Sequence, residues 1–139
     1  GIRDCLLSRW LGDVYKRQVF KFRMDGVDVC HMGDIGEECN AMLVESIAPV
    51  NVLMIPVGGT YTIDAEQAKE YVDRIMPDIV IPMHFKTRDC EFELSRLNEF
   101  LDLFDDEDIV YVESDTVEFD RADFDGESTK VFVLERFSA

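Results

Sequence analysis

Three short apolar runs, each halted at a residue suited to a sheet rim, constrain this chain more than any other feature. Val27-Asp28-Val29-Cys30-His31 leads into Met32-Gly33-Asp34-Ile35-Gly36, Val50-Asn51-Val52-Leu53-Met54-Ile55-Pro56 leads into Val57-Gly58-Gly59, and Ile79-Val80-Ile81-Pro82-Met83 leads into His84. Runs of this length and β-branched content, separated by helical patterns, read as strands of an α/β sheet. In such sheets functional groups collect where strands end and loops begin, so the three endings are three candidate walls of one site.

The remaining chain is scaffold for that rim. Val19 to Met24 and Val27 to His31 flank Asp25-Gly26, a strong signal for a hairpin. A helix is expected from Glu37-Glu38, with Cys39, Met42, Leu43 and Ile47 on its buried face, ending before Pro49. Val50 to Ile55 is apolar enough for a strand covered on both faces. Asp64 and Gln67 have capping-box spacing, and Ala68, Tyr71, Val72, Ile75 and Met76 recur at helical intervals before Pro77. A strand over 79–83 then implies a parallel pair with a right-handed crossover. Leu94, Leu97, Leu101 and Phe104 mark another helix face, and 109–112 and 129–134 read as closing strands. The acidic run Asp105 to Asp108 reads as a solvated loop, and 120–127 lacks the register of a calcium loop.

The totals bound the function. A chain of 139 residues is enough for one core, and a net charge of −16 argues against a nucleic-acid partner. Cys5, Cys30, Cys39 and Cys90 form no CxxC pair, so they read as reduced thiols in a cytoplasmic protein. No run is long enough for a bilayer and no signal-peptide pattern opens the chain, so no membrane association is expected. Residues 1–18 carry four basic and two acidic residues, whereas 19–139 carry ten and twenty-eight. That contrast, and the missing initiator methionine, give residues 1–18 the character of a non-native leader, the alternative being an amphipathic terminal helix.

Several residues have chemistry to offer, each with an ordinary structural alternative. Asp34 sits between two glycines, in Gly33-Asp34-Ile35-Gly36, which let the backbone bend tightly and its carboxylate project, but Asp at such a place also serves as a helix cap or turn residue. His84, at a strand end, suits a divalent ion or a packed histidine. His31 reads as a group supporting the site or as a core residue. Gly58, Gly59 and Thr60 could cradle an anion before a helix, or simply form a close turn; the lysine of a P-loop is absent. No Ser-His-Asp set or positioned cysteine nucleophile is present.

Taken together, His-Met-Gly-Asp-Ile-Gly at 31–36, Asn-Val-Leu-Met-Ile-Pro-Val-Gly-Gly-Thr-Tyr-Thr-Ile-Asp at 51–64 and Pro-Asp-Ile-Val-Ile-Pro-Met-His-Phe-Lys-Thr at 77–87 resemble the metallo-β-lactamase superfamily. The branch they resemble is that of metal-dependent hydrolases similar to L-ascorbate-6-phosphate lactonase. The resemblance implies an α/β (α+β) mixed sheet forming the C-terminal half of an αββα sandwich over residues 19–139. It further implies zinc or manganese as cofactor, with Asp34 and His84 as ligands. The family's His-x-His-x-Asp-His signature has no counterpart here, since the chain holds two histidines in all. The expectation is therefore a fragment of a hydrolase whose metal-bound hydroxide attacks an ester, lactone or phosphoester of a small molecule, inactive alone. The alternative is a non-catalytic, flavodoxin-like module that binds a phosphate at 58–62.

Overall fold

The computed structural model describes residues 19–33, 35–36, 38–59, 62–83, 97–114, 116–124 and 126–134. Within them the chain forms β1 (Phe20–Met24), β2 (Val27–His31), α1 (Ala41–Ile47), β3 (Val52–Pro56), α2 (Ala65–Ile75), β4 (Ile79–Met83), α3 (Leu97–Leu101), β5 (Ile109–Val112) and β6 (Lys130–Leu134). The six strands make one sheet in the order β1-β2-β3-β4-β6-β5. The β1–β2 pair is antiparallel, and every other neighbouring pair is parallel.

The hairpin is where the sequence places it. Asp25 and Gly26 both have positive φ, 53° and 80°, which is the backbone that a two-residue turn needs to match the right-handed twist of its strands. The capping box is also present: Asp64 Oδ1 accepts the Gln67 N–H at 2.9 Å, and Gln67 Oε1 accepts the Asp64 N–H at 3.1 Å. Two donors left open by the helix start are thereby satisfied.

Two helix faces differ from expectation at their ends. The first helix begins at Ala41, because Asn40 caps it by accepting the Leu43 N–H at 2.9 Å. Its inner face is Leu43 and Ile47, whereas Met42 lies on the outer side with Ser46 and is 68% exposed. Met76 is likewise turned outward and 75% exposed. It stops α2 in the left-handed conformation, φ 53°, so its side chain leaves the stripe formed by Ala68, Tyr71, Val72 and Ile75. In α3 the fully buried residue is Phe100, which the leucine spacing does not single out, while Leu97 and Phe104 are only partly buried. Leu94 lies outside the described residues.

Strand register explains the core. Cys30, Leu53, Val80 and Val131 occupy one level across four strands and all are buried against the helices. The other face carries Val29, Met54 and Ile81, all half-buried, with Val52 and Ile79 buried. On this strand alternation β3 is covered on both sides, as its composition demands.

A polar network fixes the end of the sheet where β3, β4 and β6 begin. Asn51 Oδ1 accepts the Asp28 N–H at 2.9 Å, and Asn51 Nδ2 donates to Asp78 Oδ2 at 2.9 Å. Asp78, 7% exposed, also accepts the Gly126 N–H at 2.8 Å, and its carbonyl accepts the Lys130 N–H at 2.9 Å. The Thr129 hydroxyl donates to the Pro77 carbonyl at 2.6 Å. This network braces the pole opposite the strand exits.

Candidate metal centre

The site is built where β2, β3 and β4 end. Because these strands are parallel and adjacent, the chain leaves all three at the same edge of the sheet. Backbone hydrogen bonds then lace the three exits together. The Met32 N–H donates to the Met54 carbonyl at 2.9 Å, and the Val57 N–H to the Met83 carbonyl at 3.0 Å. Further out, the Ile63 N–H donates to the Ile35 carbonyl at 2.8 Å, the Gly59 N–H to the Ile63 carbonyl at 3.1 Å, and the Ile35 N–H to the Met32 carbonyl at 3.2 Å. The loop after β3 is therefore fastened to the loop after β2 on one side and to the end of β4 on the other.

Buried side chains hold the same layer. Met32, Ile35, Val57 and Ile63 are all essentially inaccessible, so the loops after β2 and β3 are both anchored by apolar burial. Gly33 and Gly59 have φ of 55° and 84°, a conformation that glycine adopts without penalty, which lets the chain turn sharply at both places.

Two sequence-derived ligands, Asp34 and His84, lie outside the described residues, as does Thr60. Their neighbours do not: Gly33 and Ile35 belong to the laced loop after β2, and Met83 is the last residue of β4 and accepts from Val57. Among the described residues there is no group of three or more His, Cys, Asp or Glu side chains able to hold a metal. One carboxylate and one imidazole following the two parallel strands that flank β3 are a donor set of the kind that borderline divalent ions accept.

His31 stands at the end of β2, half-buried, with Nδ1 accepting the Gly33 N–H at 3.1 Å. That bond ties the last strand residue to the glycine preceding Asp34, and spacing alone did not reveal it. Gly58 is buried and Gly59 exposed. Of the two readings of this glycine loop, its hydrogen bonding favours the close turn. The Gly59 N–H is engaged by Ile63, and the following helix opens on a carboxylate, Asp64, which already holds the Gln67 N–H. Cys30 is buried beneath the site and is a free thiol, with its ionisation pushed up to about 12 by desolvation, so it offers no nucleophile. The half-buried Cys39 is also raised, first by desolvation.

Known proteins are similar to this chain in sequence and in fold. A family model described as a β-lactamase superfamily domain matches residues 9–84, more than half of the chain, a span that contains both Asp34 and His84. A metal-dependent hydrolase of Carboxydothermus hydrogenoformans is 34% identical over 68 residues, covering 49% of this chain and 30% of that protein. One from Methanocaldococcus jannaschii is 37% identical over 59 residues, covering 42% of this chain and 27% of that protein. The matched stretch thus spans less than a third of the length of these relatives. Among solved structures, a Thermotoga maritima protein assigned as a Zn-dependent hydrolase of the metallo-β-lactamase superfamily superposes with a TM-score of 0.73. It is 39% identical, and the match covers 84% of this chain and 57% of that one.

Proposed function

Because the chain belongs to the metallo-β-lactamase superfamily, we propose that it forms part of a metal-dependent hydrolase and supplies Asp34 and His84 as ligands. The observation that carries this reading is the lacing of the β2, β3 and β4 exits, which gathers Gly33 and Ile35, on either side of Asp34, and Met83, which precedes His84, at one sheet edge. The flavodoxin-like alternative expects a free phosphate cradle at 58–62, and the engaged Gly59 donor and acidic helix cap speak against it.

A divalent ion in such a site acidifies a bound water and polarises the oxygen under attack. The chain's own part is to present a carboxylate and an imidazole from loops whose bases are rigid. The substrate class is a small-molecule ester, lactone or phosphoester, as in the lactonase-like branch. Zinc, named for the Thermotoga relative, is the first metal to test and manganese the second. With two histidines in 139 residues, the His-x-His-x-Asp-His ligands are not in this sequence, and a zinc centre takes about three protein ligands. The chain therefore corresponds to the C-terminal half of the sandwich, and alone it binds metal weakly and turns over nothing. No described helix is long and apolar enough to cross a membrane; the proposed cytoplasmic setting rests on the reduced-thiol reading of the four cysteines.

The test is calorimetric titration of the 139-residue chain with Zn2+. Weak binding is expected, with Asp34→Ala and His84→Ala each lowering the affinity at least about tenfold, about 1.4 kcal/mol. Binding as tight as that of a complete zinc site, or indifference to both substitutions, refutes the assignment.

A further inference from the structure

We propose that His31 is a positioning residue for the metal centre: through Nδ1 it holds the Gly33 N–H and so sets the direction in which the chain leaves β2 toward Asp34. The inference rests on the metal-site reading above.

The loop after β2 has several fastenings within a few residues, and they are not equivalent. Met32 is held by Met54, and Ile35 both donates to Met32 and accepts from Ile63; these are backbone bonds that any sequence could make. The Gly33 N–H is held by a side chain, His31 Nδ1, at 3.1 Å. Gly33 is also the residue that takes up positive φ, 55°, so this side-chain bond falls where the chain changes direction. His31 is itself a strand residue, registered against Met54 of β3, and gives the bond a rigid base.

The chemistry of the bond is specific. A neutral imidazole offers one acceptor nitrogen, so with Nδ1 accepting, the ring proton resides on Nε2. The contact links side chain i to N–H i+2, which is the pattern of an Asx-turn. Asn places Oδ1 the same number of bonds from the backbone as His places Nδ1, whereas Gln places its oxygen one bond further, near the position of Nε2. The two amides therefore separate a role for Nδ1 from a role for the far side of the ring, and Leu keeps bulk while removing both.

Zn2+ titrations of the wild-type chain, His31→Asn, His31→Gln and His31→Leu decide the matter, with thermal unfolding run in parallel. His31→Leu is expected to lower apparent Zn2+ affinity about tenfold, and His31→Asn to stay within about twofold of wild type. Unchanged affinity in His31→Leu, or rescue by His31→Gln and not by His31→Asn, overturns the proposal. If His31→Leu does not fold, nitrogen NMR of the wild-type imidazole at pH 8 still reads the tautomer. A proton on Nε2 supports the assignment, and one on Nδ1 overturns it. Asp34→Ala in the same series distinguishes the two failures. Loss of binding there with wild-type behaviour in His31→Leu removes His31 alone, whereas wild-type binding in Asp34→Ala removes the metal reading and this inference with it.

Discussion

At the scale of single residues, the polar pair with the clearest consequences, half-buried Asn51 and buried Asp78, lies away from the strand exits. Asn51 bridges the Asp28 N–H and the Asp78 carboxyl, so Asn51→Ala leaves a nearly inaccessible carboxyl oxygen and a partly buried N–H without their partner. Unsatisfied buried groups cost about 1–3 kcal/mol each, so a loss of about 2–3 kcal/mol in urea unfolding is expected, against about 0.5 kcal/mol for an ordinary surface change. Cys30 gives a second prediction. Burial raises its ionisation to about 12, above the value of an exposed thiol, so the folded state favours the protonated form. The associated stability is complete below about pH 9 and is lost as pH climbs from there toward 12. Peptide-resolved alkylation at pH 8 should label Cys39 well before Cys30, and adding urea should abolish the difference. Neither role is legible in the sequence: an Asn inside an apolar run and an Asp after proline look like turn residues until distant strands bring them together.

Elements were readable in proportion to how local their causes are. The Asp25-Gly26 turn and the Asp64–Gln67 box depend on residues within four positions, and both formed as the spacing implied. The inner faces of α1 and α2 differ from the spacing at their ends: α1 starts at Ala41 rather than at Glu37-Glu38 and turns Met42 outward, and Met76 is the left-handed cap of α2 rather than part of its stripe. The turn also permits a clean test, because a Cβ built on Gly26 meets nothing within 4 Å. Gly26→Ala therefore carries only the penalty of the left-handed backbone, φ 80°, about 1–2 kcal/mol. The expected result is a lower unfolding midpoint with an unchanged denaturant slope; an unaltered midpoint would mean that the hairpin contributes little to the cooperative unit.

For the molecule as a whole, the sheet has a braced pole and a working pole. Strands β3, β4 and β6 start in the Asn51–Asp78–Gly126 network, whereas β2 and β3 finish in glycine-bearing loops tied mainly by backbone bonds to each other and to the end of β4. That division follows from parallel topology, which sends the exits of β2, β3 and β4 to one edge, and it is legible in outline because each run announces its own end. What short motifs could not convey is how the exits are fastened, since Ile63 to Ile35 and Val57 to Met83 join residues more than twenty positions apart. Charge acts on this whole body rather than on either pole. A net −16 over 139 residues imposes self-repulsion on the compact state, while the described ion pairs are surface contacts such as Lys69–Asp73 at 2.6 Å and Arg74–Glu70 at 3.1 Å. Exposed pairs contribute at most about 1 kcal/mol and weaken in salt, but the repulsion is screened by the same ions and involves many more charges. Raising NaCl from 10 mM to 300 mM should therefore raise the urea midpoint; a fall would show that the sparse basic residues, through pairs like Lys130–Asp108 at 3.0 Å, outweigh the general excess of carboxylates.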